Sequence, residues 1–146
     1  MFVEQILPRA RERLAVIDAG ALVGEAAELM AKPHTDLVVV CRDGIVIGVV
    51  TKTDIVAHVS RYLASSFDAP IANIMTREVA HCLTTDPLLG VWQMMKERGF
   101  HRIPVVDANR APLGILYARD ALQALLREVE IEDELLRDYI YGVGYR

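Results

Sequence analysis

Short apolar runs alternate along this chain with stretches whose apolar residues recur at helical spacing, and the two patterns come twice in the same order. Residues 37–41 and 45–50 are β-like runs divided by Arg42-Asp43-Gly44, a break of hairpin length. Residues 102–106 and 113–117 repeat the pair, with residues 107–110 between them. Ahead of each pair lies one apolar helical face, Leu22, Val23, Ala26 and Leu29 in the first case and Leu88, Leu89, Trp92 and Met95 in the second. Gly48 and Gly114 are 66 positions apart, and that offset carries Asp54 onto Asp120 without a gap. Ile6-Leu7-Pro8-Arg9 and Ile74-Met75-Thr76-Arg77 form a further echo, two residues out of that register.

Each copy therefore predicts a short helix, a short strand, a helix, two strands and a final helix. In the first copy these span residues 3–7, 15–17, 22–32, 36–41, 45–50 and 53–63; in the second, 72–75, 80–83, 87–98, 102–106, 113–117 and 119–128. Asp86-Pro87 supplies a capping residue followed by proline at a helix start. Residues 64–70 have linker composition and divide the copies. Two copies are too few for a solenoid, so the expected architecture is an α/β (α+β) closed pseudo-twofold pair, each sheet buried against its twin. A cleft between quasi-equivalent halves is a natural ligand position.

Composition narrows the class. The 146 residues are 53% hydrophobic and 25% charged, which describes a globular core. The longest apolar runs fall far short of the roughly 20 residues that a membrane span needs, and the N-terminus lacks the basic-then-apolar order of a secretory signal. The expected location is the cytoplasm. A net charge of −4 argues against broad nucleic-acid binding. Cys41 and Cys82 have no CxxC spacing, and His34, His58, His81 and His101 form no HxxxH or HExxH pattern, so no zinc site is expected. Both cysteines read as small buried hydrophobes. His81 and Cys82 diverge if they sit on one strand, which removes them as a dyad.

The stretch Gly48-Val49-Val50-Thr51-Lys52-Thr53-Asp54 ends a strand and begins a helix. A glycine there lets another group approach the backbone, and the free N–H groups of the turn attract anions. Thr51 or Thr53 offers a hydroxyl to a phosphate, Lys52 a charge, and Asp54 two acceptors for a ribose diol. The same residues equally suit a capping box, Thr51 with Asp54, and Thr53 alone is a good N-cap. In the second copy Gly114-Ile115-Leu116-Tyr117-Ala118-Arg119-Asp120 keeps the acid, loses the threonine to Tyr117 and keeps a cation at Arg119. His101 and Arg102 stand at the entrance of a strand, either as solvated side chains or as a phosphate sensor and a bidentate phosphate ligand. Pro104 suits a strand edge or a ligand-facing break. Trp92 lies on an apolar helix stripe and reads as packing. Arg9, Arg11 and Arg13 read as a solvated loop, or as a supplement to a phosphate site.

The duplicated Gly-h-h-x-x-x-Asp (h apolar), the Ile103-Pro104-Val105-Val106-Asp107 strand and the paired lead-in helices together resemble a tandem pair of cystathionine β-synthase (CBS) domains, a Bateman module, over about residues 1–128. That resemblance implies β-α-β-β-α units at residues 1–66 and 67–129, with a helical extension and tail over 130–146. It implies a non-catalytic, regulatory sensor of an adenosyl ligand: AMP, ADP or ATP, with S-adenosylmethionine or NADH possible, and no required cofactor. Carried onto this chain, the ribose acids are Asp54 and Asp120 and the phosphate hydroxyl is Thr51. Tyr117 departs from the Ser/Thr pattern, with Arg119, His101 and Arg102 available as substitutes. Adenine contacts fall near Ile17, Asp36, Leu83, Thr84 and residues 102–104. The family often forms antiparallel dimers, so the expected partners are the ligand, a second copy and a protein effector, with no nucleic acid and no membrane. The alternative is a partner-binding protein with unoccupied clefts; no activated nucleophile or metal cluster is legible for an enzyme.

Overall fold

A computed structural model describes residues 1–144. A 3-10 turn at Val3–Ile6 leads into α1 (Leu7–Glu12), then β1 (Val16–Asp18), α2 (Val23–Met30), β2 (Leu37–Arg42), β3 (Ile45–Thr51) and α3 (Lys52–Tyr62). After 3-10 turns at Leu63–Asp68 and Ile71–Asn73 come β4 (Cys82–Leu83), α4 (Leu88–Arg98), β5 (Arg102–Val106), β6 (Pro112–Tyr117) and α5 (Ala118–Gly144). The strands form two three-stranded sheets, β1-β2-β3 and β4-β5-β6, each with a parallel first pair and an antiparallel second pair. The expected two-copy α/β architecture is the one observed.

Local chemistry accounts for the hairpins. Asp43 and Gly44 both have positive φ, 53° and 76°, the two-residue turn whose twist matches that of the strands it joins. In the second hairpin the Asp107 carboxylate accepts the N–H groups of Asn109 (2.8 Å) and Ala111 (2.9 Å). Its tip reaches the other repeat, where the Arg110 carbonyl accepts the Val46 N–H at 3.0 Å. Asp86 does not cap α4: its carboxylate accepts the Leu83 N–H at 2.8 Å, and Pro87 takes the N-cap position.

Three apolar clusters hold the fold. One packs α2 and Ile55 on the first sheet around Val38, Val40 and Val50; a second packs α4 on the other sheet around Ile103, Val105 and Leu116. Trp92 joins the second cluster as packing. The third lies between the sheets, where Leu37, Val39, Cys41 and Val46 meet Val106, Ile115 and Tyr117. Full burial of each such aliphatic side chain is worth about 1.5–3 kcal/mol.

The lead-in segments are exchanged between the repeats. Val3 and Ala10 belong to the cluster of the second sheet, and the Val3 and Glu4 N–H groups donate to the carbonyls of Asp86 and Thr84, each at 3.0 Å. Ile71 and Met75 belong to that of the first sheet, where Thr76 and Val49 exchange backbone bonds of 2.9 and 3.0 Å. Both strand glycines exist for this contact. A Cβ on Gly48 would meet Met75 Sδ at 2.8 Å, and one on Gly114 would meet the Ala10 carbonyl carbon at 2.7 Å.

The final helix departs from expectation. α5 runs unbroken to Gly144, and its side chains from Val129 to Tyr141 are exposed. The acidic extension continues that helix instead of starting a new element; Tyr145 and Arg146 of the expected tail lie outside the described residues.

Both cysteines are buried, and burial raises both thiols, Cys82 to about 12. A disulfide-exchange reagent at mildly alkaline pH should therefore leave both unmodified in the native protein and titrate two in denaturant. Rapid labelling of folded protein contradicts the packing of the strands that carry them.

Candidate functional site

The turn from β3 into α3 closes on itself. Thr51 Oγ1 accepts the Asp54 N–H at 3.3 Å, while Asp54 Oδ2 accepts both the Thr51 N–H (2.9 Å) and the Thr51 hydroxyl (3.1 Å). This is the capping box that the spacing allows, and it leaves Lys52 and Thr53 on the exposed first turn, outside the cap. Thr51, Lys52 and Thr53, with Asp36 beside them at the entrance of β2, line a cleft of about 380 Å³ from the first repeat; His101 and Arg102 line it from the second. Asp54 stands one hydrogen bond behind that cleft and borders a neighbouring groove of about 270 Å³ with His58, Arg61 and Asn73.

Asp36 ties the two sides together. One carboxylate oxygen lies 3.0 Å from Lys52 Nζ and the other 2.9 Å from an Arg102 guanidinium nitrogen. The Lys52 hydrogen bond, aided by the charge of Arg102 and opposed by desolvation, holds the Asp36 carboxyl below the ordinary carboxylate range. Its stabilisation is complete above the ordinary carboxylate pKa and is lost as the pH falls through the lowered one. Asp36 and Arg102 occupy the same position of their respective repeats, so this pair joins the copies at quasi-equivalent points.

The quasi-equivalent cleft, of about 360 Å³, is lined by Arg9, Glu12, Arg13, His34, Thr35 and Arg119. The acid of the second repeat, Asp120, borders a separate groove with Gln5, Arg9 and Arg127 and is held by an arginine instead of by its own helix cap. Arg13 makes a two-pronged bond to Asp120, 2.8 Å and 3.1 Å, with Arg9 3.9 Å away. The hydrogen bond that Arg13 donates to Asp120 outweighs desolvation and raises the Arg13 guanidinium above its ordinary value. Tyr117 fills the position corresponding to Thr51: its hydroxyl donates to the His34 carbonyl at 2.9 Å, and its ring carries the guanidinium groups of Arg13 (4.0 Å), Arg102 (4.9 Å) and Arg119 (5.4 Å).

Several expected groupings are rearranged. His101 and Arg102 line the Thr51 cleft and not the cleft of Arg119, because each cleft is walled by the strand end of one repeat and the strand entrance of the other. Arg102 touches both, through Asp36 and through the Tyr117 ring. Thr84 lies at the end of β4, where its carbonyl accepts the Glu4 N–H, apart from either cleft. Pro104 is buried in the middle strand, opposite Ile115 and before the ladder with β4 begins at Val105, so its missing N–H interrupts nothing there. Arg13, expected in a solvated loop or as a supplement to a phosphate site, is half-buried against Asp120; its arginine neighbours in sequence give no local sign of a partner 107 positions away. Among the described residues no His, Cys, Asp and Glu group forms a metal centre.

Two β-α-β-β-α repeats packed sheet to sheet, with paired clefts at the strand-to-helix turns, define a tandem-repeat module. The profile of the CBS domain matches residues 3–61 and again 71–127. The chain belongs to the CBS-domain family. It is similar to an uncharacterized 17.7 kDa protein of Acidianus ambivalens, 29% identical over 119 residues, which cover 80% of this chain and 70% of that one. It is also similar to the homoserine O-acetyltransferase of Methanococcoides burtonii, 31% identical over 110 residues, 75% of this chain but 22% of that enzyme. Among solved structures, the CBS-domain protein ATU1752 of Agrobacterium tumefaciens superposes with a TM-score of 0.73 at 27% identity, covering 85% of this chain and 98% of its own. CBSX2 in complex with AMP superposes at 0.72 with 23% identity, covering 86% of this chain and 96% of its own. The CBS pair of MJ0100, in complex with 5′-methylthioadenosine and S-adenosyl-L-methionine, superposes at 0.71 with 22% identity over 88% and 97%.

Proposed function

We propose that this protein is a non-catalytic sensor that binds an adenosine-containing ligand between its repeats and passes occupancy on as a change in their relative arrangement. The observation that carries this reading is the Thr51–Asp54 turn at the mouth of a cleft whose far wall bears Arg102. A phosphate meets the hydroxyl of Thr53, the Thr51 hydroxyl once it turns from Asp54, and the cations Lys52 and Arg102, with His101 beside them; Asp54, on the neighbouring groove, supplies acceptors for a ribose. The AMP complex of CBSX2 and the methylthioadenosine and S-adenosylmethionine complex of MJ0100 support an adenosyl ligand. AMP, ADP and ATP are the first candidates, then S-adenosylmethionine and NADH.

The two clefts differ in this reading. Tyr117 replaces the phosphate hydroxyl and Arg13 occupies Asp120, which favours weak binding or none near Arg119. We further infer a homodimer, supported by the exposed Leu126, Val129, Leu136 and Ile140 along α5, and a cytoplasmic regulatory role through a protein effector. A ligand transmits a signal only by binding two arrangements unequally.

Isothermal titration with AMP, ADP and ATP tests the reading. Asp54→Ala should weaken binding by about ten-fold or more through lost charge-assisted hydrogen bonds. No heat from any adenosyl ligand up to millimolar concentration would leave the partner-binding alternative standing.

A further inference from the structure

The cations that the ligand reading assigns to a phosphate are not free: a carboxylate of the protein already holds them. Asp36 bonds Lys52 from the first repeat and Arg102 from the second, at 3.0 and 2.9 Å, on the wall of the same cleft. The arrangement is what an oxyanion would make there, one negatively charged group bridging an ammonium and a guanidinium. It is also incomplete. Arg102 Nε is buried with no acceptor among the described residues, because Asp36 uses one oxygen on each cation. A tetrahedral oxyanion has a third oxygen to offer, and Arg recognises phosphate through two parallel N–H groups where an acceptor can present both oxygens. The Tyr117 ring, 4.9 Å from the Arg102 guanidinium, holds that group in place whether Asp36 or another anion is bound.

We propose that Asp36 is an internal competitor for the phosphate position of this cleft: a ligand phosphate takes Lys52 and Arg102 from it, and the exchange breaks the ion pair that joins the two repeats. The inference rests on the adenosyl-ligand reading for its biological ligand, but its chemistry requires only an oxyanion. Competition of this kind sets a threshold. A monoanion gains little over the carboxylate it displaces, whereas a dianionic or more highly charged phosphate gains both charge and an acceptor for Arg102 Nε, so the cleft discriminates by ligand charge. Nucleosides, which do not contest the two cations, are unaffected by Asp36.

The test compares inorganic pyrophosphate, AMP and adenosine by isothermal titration against the intact protein, Asp36→Asn and the control Asp43→Asn, at fixed ionic strength. Asp43 lies in the exposed β2–β3 turn and removes the same formal charge away from the cleft. Pyrophosphate and AMP should bind Asp36→Asn about ten-fold more tightly than the unmodified protein, from relief of one close like-charge competitor. Adenosine affinity should stay within about two-fold, and Lys52→Ala added to Asp36→Asn should remove the gain. The proposal is overturned by equal or weaker pyrophosphate binding to Asp36→Asn, by no pyrophosphate binding to that variant at millimolar concentration, or by the same gain in Asp43→Asn. If pyrophosphate distinguishes the variants while AMP and adenosine bind neither, the competitor role stands and the adenosyl reading fails.

Discussion

Gly114→Ala should destabilise the protein by about 3 kcal/mol, seen as a lower urea midpoint with an unchanged slope. The added Cβ would lie 2.7 Å from the carbonyl carbon of Ala10, 2.8 Å from its oxygen and 2.9 Å from its Cβ. Backbone on a helix held by its own hydrogen bonds has no cheap escape, so α1 must lift off β6. Gly48→Ala is the informative comparison. Its nearest neighbours are Met75 Sδ at 2.8 Å and Cγ at 3.0 Å, parts of a flexible side chain, although the Thr76 carbonyl oxygen also stands at 3.0 Å. The cost there should be about 1 kcal/mol, at the low end for overpacking. Equal effects at the two glycines would mean that the exchanged lead-ins do not press on their sheets as described.

Asp120→Ala should cost about 3 kcal/mol, the low end of the range for removing one partner of a buried ion pair, because this pair is part-buried. The Arg13 side chain is 8% exposed and that of Asp120 11%, so water cannot easily replace the lost partner. Arg13→Met should be similarly harmful alone, while combining it with Asp120→Leu should recover much of the loss, because the pair's net worth is smaller than the penalty for orphaning either member. Glu12→Ala, which breaks the exposed Arg9–Glu12 pair, should change the urea midpoint by less than about 0.5 kcal/mol equivalent. Additive losses in the Arg13 and Asp120 double variant would overturn the pairing.

These energies bear on how ligand experiments are read. Because Asp120 is structural through Arg13, a binding defect in Asp120→Ala mixes contact loss with unfolding. Asp54→Ala loses the reciprocal cap of α3, a matter of about 1 kcal/mol, and leaves most of the protein folded at moderate temperature. The two quasi-equivalent acids therefore answer different questions when mutated. Asp54 probes ligand binding and Asp120 probes the attachment of α1.

Local pattern made much of this molecule readable. Alternation and helical spacing mark β2, β3, β5 and β6 within a residue or two, and the common offset of 66 positions exposes the duplication, since both are short-range properties of the chain. The length of α5 exceeds the expected end at residue 128, although the stop signals that would end it there are missing. Between Ala118 and Tyr141 there is neither proline nor glycine, so nothing stops the helix at Glu128. The capping box at Thr51 and the engaged state of Asp54 belong to the same readable class.

What the sequence by itself determined is the set of elements, their duplication and the residue types at each strand-to-helix turn. Only the tertiary structure decided which lead-in lies on which sheet, and so why Gly48 and Gly114 are glycines. Closure of the pseudo-twofold pair likewise decided that Asp36 meets Arg102, that Arg13 meets Asp120, and that His101 faces Thr51 instead of Tyr117. The physical reason is range: periodicity and capping are settled by backbone geometry within a few residues, whereas an ion pair depends on where two distant surfaces meet, and no local preference of an arginine or an aspartate encodes its partner.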